Sequence, residues 1–321
     1  MSAIKRFTTL TAVANLLMQV KPSTKVSTVL IELSKFLIGK PSKKCVLLLS
    51  GKVVKSRVPL LLLWTVPFMS SAPEGEGSGE AKPKPDQQTK ETKNAIQESD
   101  ELFESNKYQE AISALLPFKD GSDVEVLWRL SRAQYKVSQS SSVSDKEKKE
   151  LIHEAYERIK KALELDDSHW AIHKWMSVLL DAESEYEGIK ARVTQLENVK
   201  RHMLRAVELN PTDATTHYML GSWCYQIADM SWFQRKIAAT IFAAPPTSTF
   251  EEALHFFSKA EEIQPKFYSP NLLMLGKTLI KLQKPEEAAR YLNLAKDYPS
   301  STEEDDSVQK EATELLKKLK I

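Results

Sequence analysis

From Ala95 to the end of the chain, apolar residues recur every three or four positions and never alternate, so the pattern predicts helices and no strand. Ile96, Leu102 and Phe103 mark a first helix. Ala111, Ile112, Leu115 and Leu116 mark a second, stopped by Pro117. Val124, Leu127, Trp128, Leu130 and Tyr135 give a helix over 122–136. After the polar run 138–148, Ser144 is placed to cap a helix reaching Leu165, with Glu147 completing a capping box. Further helices are expected over 168–182, about 188–209, 213–229, 249–263, 270–283, 285–297 and 303–320, with Ser168, Thr212, Thr249 and Thr302 as N-caps.

One stretch echoes down this helical part. KALELDD (161–167), RAVELNP (205–211), KAEEIQP (259–265) and NLAKDYP (293–299) each place an Ala shortly before a Pro or Asp, and a new helix follows. Leu220-Gly221 and Leu275-Gly276 recur after two of them. One helix hairpin cannot bury its own apolar face but stacked hairpins can, so such repeats indicate a solenoid. With Gly276 at the eighth position of a 34-residue unit, Ala288, Leu292 and Ala295 fall at positions 20, 24 and 27. That is the tetratricopeptide spacing, with small residues where paired helices cross closely. Pro299 falls one residue early. In the preceding unit Gly221 and Ala253 stand 32 residues apart instead of 12, so 20 extra residues lie inside one hairpin. The expected fold is all-α: an irregular tetratricopeptide-like α-solenoid over residues 95–321.

Charge divides the chain differently. The formal charge is +2, yet residues 1–72 carry eleven basic side chains against the single acid Glu32, a net +10 that leaves −8 for the remainder. Residues 1–70 form a basic leader rich in Ser and Thr, with Phe7, Leu10, Ala14 and Leu17 at helical spacing. That is the composition of a mitochondrial targeting segment, and equally of a disordered basic tail. Val58–Met69 is apolar but shorter than the about 20 residues that span a bilayer, and Pro59 and Pro67 bracket it. Residues 71–94 concentrate Gly, Pro, Ser and charge and read as a disordered linker. Two cysteines, Cys45 and Cys224, fit a reducing compartment.

The runs VEVLWRLSRA (124–133), HKWMSVLL (173–180), YEGIKAR (186–192), ELNPTDATTHYMLGSWCY (208–225), WFQRKIA (232–238), FAAPPTSTFEEAL (242–254), FYSPNLLMLGKT (267–278) and AKDYPSSTEED (295–305) resemble the regulator of microtubule dynamics protein family over residues 95–320. The resemblance implies a non-enzymatic helical-repeat protein associated with microtubules and spindle poles, hence cytoplasm and cytoskeleton. Some members sit on mitochondria through their N-termini, and the leader keeps that address open here.

Candidate chemistry narrows the reading. The helical part has no phosphate-cradling glycine loop, and no cofactor is implied. His169 and His173 stand four apart without HExxH or a third ligand, which favours packing over a metal site. Cys224, among Met219, Trp223 and Tyr225, reads as an inert buried thiol. A concave groove is expected at positions two, five, nine and twelve of each first helix: Trp128, Arg132 and Tyr135; Ile172, Met176 and Leu179; Tyr218 and Tyr225; Leu273, Lys277 and Ile280. Aromatic and apolar with isolated cations, that lining suits an apolar protein segment or an acyl chain better than a free peptide carboxylate. The alternative function is therefore lipid binding or transfer at a mitochondrial membrane contact. In the insertion 230–248, Trp232 precedes Phe233, Ile237 and Ile241 at i, i+4, i+8, a face that either packs into the array or meets a partner or lipid. Lys190, Arg192, Lys200, Arg201 and Arg205 against Glu197 form a candidate basic patch for acidic tubulin tails. The acidic body disfavours nucleic acid.

Overall fold

The structure is a computed structural model that describes residues 89–241 and 245–319, apart from a few side chains in that span. The leader, Val58–Met69, Cys45 and the linker up to residue 88 lie outside the described residues. Among the described residues there are twelve α-helices and no strand: α1 Lys90–Glu104, α2 Tyr108–Leu115, α3 Val124–Ser138, α4 Asp145–Leu165, α5 Trp170–Glu187, α6 Ile189–Leu209, α7 Ala214–Ala228, α8 Trp232–Ile241, α9 Phe250–Ile263, α10 Ser269–Lys281, α11 Pro285–Lys296 and α12 Glu303–Leu319. No described helix is long and apolar enough to cross a membrane.

Capping chemistry sets where these helices begin. α1 starts inside the segment read as linker because the Thr89 hydroxyl accepts from Thr92 N–H at 3.2 Å. Ser144 caps α4, and Thr249 with Glu252 forms a full capping box on α9. Two caps move one residue on from the sequence expectation. Ser168 and Thr212 instead donate to Asp166 and Asn210 in matching turns, which leaves His169 to cap α5 and Asp213 to cap α7.

Helices pair as hairpins α1–α2, α3–α4, α5–α6, α7–α9 and α10–α11, and α12 closes the series on α11. The insertion is thus skipped: α7 reaches past α8 to α9. Only Gly188 separates α5 from α6, and its φ of +103° is strained for any L side chain. The turns α1–α2 and α10–α11 repeat one design. Asn106 and Gln283 take positive φ, and Lys107 and Lys284 donate back to Leu102 and Leu279.

At each crossing a small residue lets the partner in. Ala162, Ala206, Ala260 and Ala295 are fully buried, as are Ala111, Ala253 and Ala288. A Cβ added at Gly221 would stand 2.6 Å from the Phe257 ring, and one at Gly276 would stand 2.6 Å from Leu292. Phe257 itself is fully buried, and its backbone carbonyl accepts from Asn271 at 3.2 Å, tying α9 to α10.

Gly221→Ala gains about 1 kcal/mol of helix propensity but forces the Phe257 ring to move, an overpacking cost of about 1–3 kcal/mol. The expected outcome is a lower urea midpoint. In the Gly221→Ala/Phe257→Leu double variant the loss should be smaller than the sum of the single losses, and additivity would show that this crossing is not tight.

Candidate functional site

The first helices of successive hairpins line a groove of about 470 Å³. Trp128, Arg132 and Lys136 come from α3 at i, i+4, i+8; Trp170, Lys174, Trp175 and Val178 come from α5; Thr215 and Met219 come from α7. Phe267 and Tyr268 approach from the entry to α10, and Phe103, Glu104, Asn106 and Tyr108 close the α1–α2 end.

The polar groups of this lining are held from behind. Arg132 pairs with Asp100 at 2.6 Å and lies over the Phe103 ring at 3.7 Å. Its Nε is buried without a hydrogen bond, and burial lowers the guanidinium pKa from its ordinary value. Trp128 Nε1 donates to Glu125 at 3.0 Å. His169 also holds Glu125, at 2.8 Å, and that contact is the main reason its carboxyl is pulled down to about 2. Lys174 pairs with Asp213 at 2.8 Å and lies 5.5 Å from the Trp170 ring centre. Tyr268 donates to Glu304 at 3.0 Å and meets Tyr218 edge-on at 5.0 Å. The outcome is a fixed aromatic wall with cations at set positions.

Of the eleven groove positions expected from the repeat frame, the structure brings Trp128 and Arg132 to the cavity. Tyr135, Ile172, Met176, Leu179, Tyr218, Tyr225 and Leu273 are buried instead. Lys277 pairs with Glu311 of α12 at 2.8 Å, and Ile280 packs in the α10–α12 cluster. The difference is one of helix phase. On α5, residues 170, 174, 175 and 178 line the groove, while 172, 176 and 179 are buried in the core. The i, i+4 pairs Trp128–Arg132, Arg132–Lys136 and Trp170–Lys174 carry the signal in the sequence.

The basic patch disperses. Arg192 is 5% exposed and forks onto Asp181 at 2.8 and 2.7 Å, with Glu185 at 3.2 Å. Arg205 pairs with Glu208 at 2.9 Å, and Lys200 lies over Trp223 at 4.5 Å. Arg201 is exposed, and the Lys190 side chain lies outside the described residues. In the insertion Trp232 is exposed, while the side chains of Phe233, Ile237 and Ile241 lie outside the described residues. Cys224 is buried and its thiol is pushed up by that burial, the opposite of what a nucleophile needs.

The two histidines do not converge. His169 faces Glu125, whereas His173 donates from Nε2 to the Asp167 carbonyl at 2.8 Å and meets His202 at 2.9 Å, Nδ1 to Nδ1. With its proton on Nε2, His173 offers Nδ1 as acceptor, so His202 must donate. Burial first, then His173 and Arg201, lowers His202 to about 4.

Hairpins stacked through small residues, with a groove along their first helices, define a tetratricopeptide-like helical-repeat protein. The sequence profile described as regulator of microtubule dynamics protein 1-3 matches residues 95–320, and the chain belongs to this family. Regulator of microtubule dynamics protein 1 of Bos taurus is 46% identical over 227 residues, covering 71% of this chain and 72% of that protein. Regulator of microtubule dynamics protein 3 of Rattus norvegicus is 38% identical over 225 residues, 68% of this chain and 47% of its own length. Among solved structures, a thermophilic TPR protein from Thermus thermophilus shows a TM-score of 0.47 at 15% identity, over 69% of this chain and 98% of that one.

Two predictions follow from these pairs. His202 is held below its unfolded value of about 6.5, so it adds stability above that pH that is lost as pH falls toward about 4. His217, lowered by burial, acts in the same direction. The urea midpoint should fall between pH 6.5 and pH 4, less steeply in His202→Phe; an unchanged slope would contradict the lowered His202. Arg192→Met should cost about 3–5 kcal/mol, because Asp181 is left buried and unpaired. The exposed Arg201→Glu should change stability by less than about 0.5 kcal/mol. Equal effects in urea unfolding would contradict the inward placement of Arg192.

Proposed function

We propose that this chain is a non-enzymatic helical-repeat scaffold that associates with microtubules and holds a protein segment in the groove between α3, α5 and α7. The observation that carries the reading is the groove, a concave surface lined by Trp128, Trp170, Trp175 and Met219 with cations at Lys136 and Lys174. Aromatic walls supply apolar contact area at low entropic cost, and fixed cations set the register of an acidic group in the ligand. The names of the relatives supply the microtubule part of the proposal. Direct contact with acidic tubulin tails falls to exposed cations such as Arg201, since Arg192 is committed to Asp181. Spindle poles and cytoplasm, or a mitochondrial surface reached through the basic leader, are the addresses proposed with it.

A second reading rests on the same lining. Phe103, Val178, Met219 and Phe267 make the groove apolar enough for an acyl chain, with Lys136 or Lys174 meeting an anionic headgroup. This is the lipid-binding or lipid-transfer alternative.

Co-sedimentation of the full chain with microtubules tests the first reading. Pelleting should decline as salt rises, and Arg201→Glu should weaken it by roughly twofold to tenfold, the weight of one or two exposed charges. No pelleting at low salt would remove direct binding. Native mass spectrometry of the chain purified from cells separates the two groove ligands. The protein-segment reading expects no lipid adduct, while an adduct lost in Thr215→Trp, which puts a larger ring at a half-buried position of the groove lining, would replace it with the lipid reading.

A further inference from the structure

Helix α8 belongs to none of the paired hairpins, since α7 packs on α9 directly. Most of its described side chains are open to solvent: Trp232, Arg235, Lys236 and Ala239 are exposed and Ala238 is half-buried. Trp232, at 70%, is the most exposed large apolar side chain among the described residues. The Lys236 ammonium lies 4.6 Å from its ring centre. Arg235 donates from Nε to the Met230 carbonyl and from its terminal nitrogen to the Ala228 carbonyl, both at 3.0 Å. These contacts clamp α8 to the end of α7 through uncharged acceptors, so the bonds leave the Arg235 charge uncancelled. No acidic residue occurs between Asp229 and Glu251, although the rest of the helical part is acidic.

A lone exposed apolar residue is ordinary, but here the exposed indole, the cation at its ring and the missing acids fall together on one short helix. An indole flanked by cations and free of acids suits the headgroup layer of an anionic bilayer, where the ring finds its amphipathic level and the cations meet phosphate. Ten residues make a helix of about 15 Å, too short to cross a bilayer but able to lie along its surface. We propose that α8 docks on an anionic phospholipid surface, with Trp232 entering the headgroup layer, Lys236 facing the lipid phosphates, and Arg235 holding α8 to the end of α7 while adding to the local positive field. The proposal stands apart from both groove readings, because none of the described side chains of α8 lines the groove.

The test uses the full chain with vesicles of brominated phosphatidylcholine, alone or mixed with phosphatidylserine. Bromine quenches nearby indoles, and the difference between wild type and Trp232→Phe isolates this indole from the other Trp residues. The expected result is Trp232-specific quenching on the anionic vesicles, at least about threefold weaker on the neutral ones and largely abolished by Lys236→Glu. Because that difference reads one position, vesicle binding by the leader cannot imitate it. Equal quenching of wild type and Trp232→Phe would overturn the proposal. If Trp232→Phe also shifted a concentration-dependent dimer, the face would belong to a second copy of the chain.

Discussion

The close crossing of paired helices is the constraint from which the rest follows. Gly221 leaves room for the Phe257 ring and Gly276 leaves room for Leu292, so the backbones of each hairpin approach within reach of small side chains. Fully buried alanines repeat the device along the array. Because the hairpin interior is filled this way, the second helix of each hairpin packs on the first helix of the next, and the first helices line one wall of the groove. A bulkier residue at a crossing would splay a hairpin and misplace every side chain that hairpin presents.

That constraint was legible in the sequence because it is periodic. The echoes around Ala162, Ala206, Ala260 and Ala295 gave the hairpin order, and the excess spacing between Gly221 and Ala253 located the insertion that α7 and α9 close over. Groove membership was less legible. Which residues of a helix face inward is set by how its apolar stripe packs on its neighbours, and the weak repeat frame around α5 does not fix that phase. His169 and Asp213 took the caps because Ser168 and Thr212 were bound to Asp166 and Asn210. Ile172 and Met176 went inward, and Trp170 and Lys174 took their places in the groove. The partner of Arg192 was hidden for another reason: Asp181 lies across the Gly188 turn, and sequence spacing does not show whether two charges on successive helices face each other or the solvent.

Structure and charge then divide the labour. The groove cations Arg132 and Lys174 are anchored by Asp100 and Asp213, which orients them at the cost of part of their long-range field. They are suited to positioning a ligand already bound. The cations on α8 are not tied to carboxylates, and they sit on a segment the repeat does not need for its own packing. An array of this kind can therefore hold one ligand along its concave face while an inserted element meets a different surface.

Amide hydrogen exchange on the full chain tests the central claim most directly, because it reads each helix separately. If α7 and α9 form one hairpin across the insertion, they should share the slowest exchange, with α8 between them exchanging much faster. Comparable protection of α8 and α7, or α9 opening independently of α7, would contradict the account.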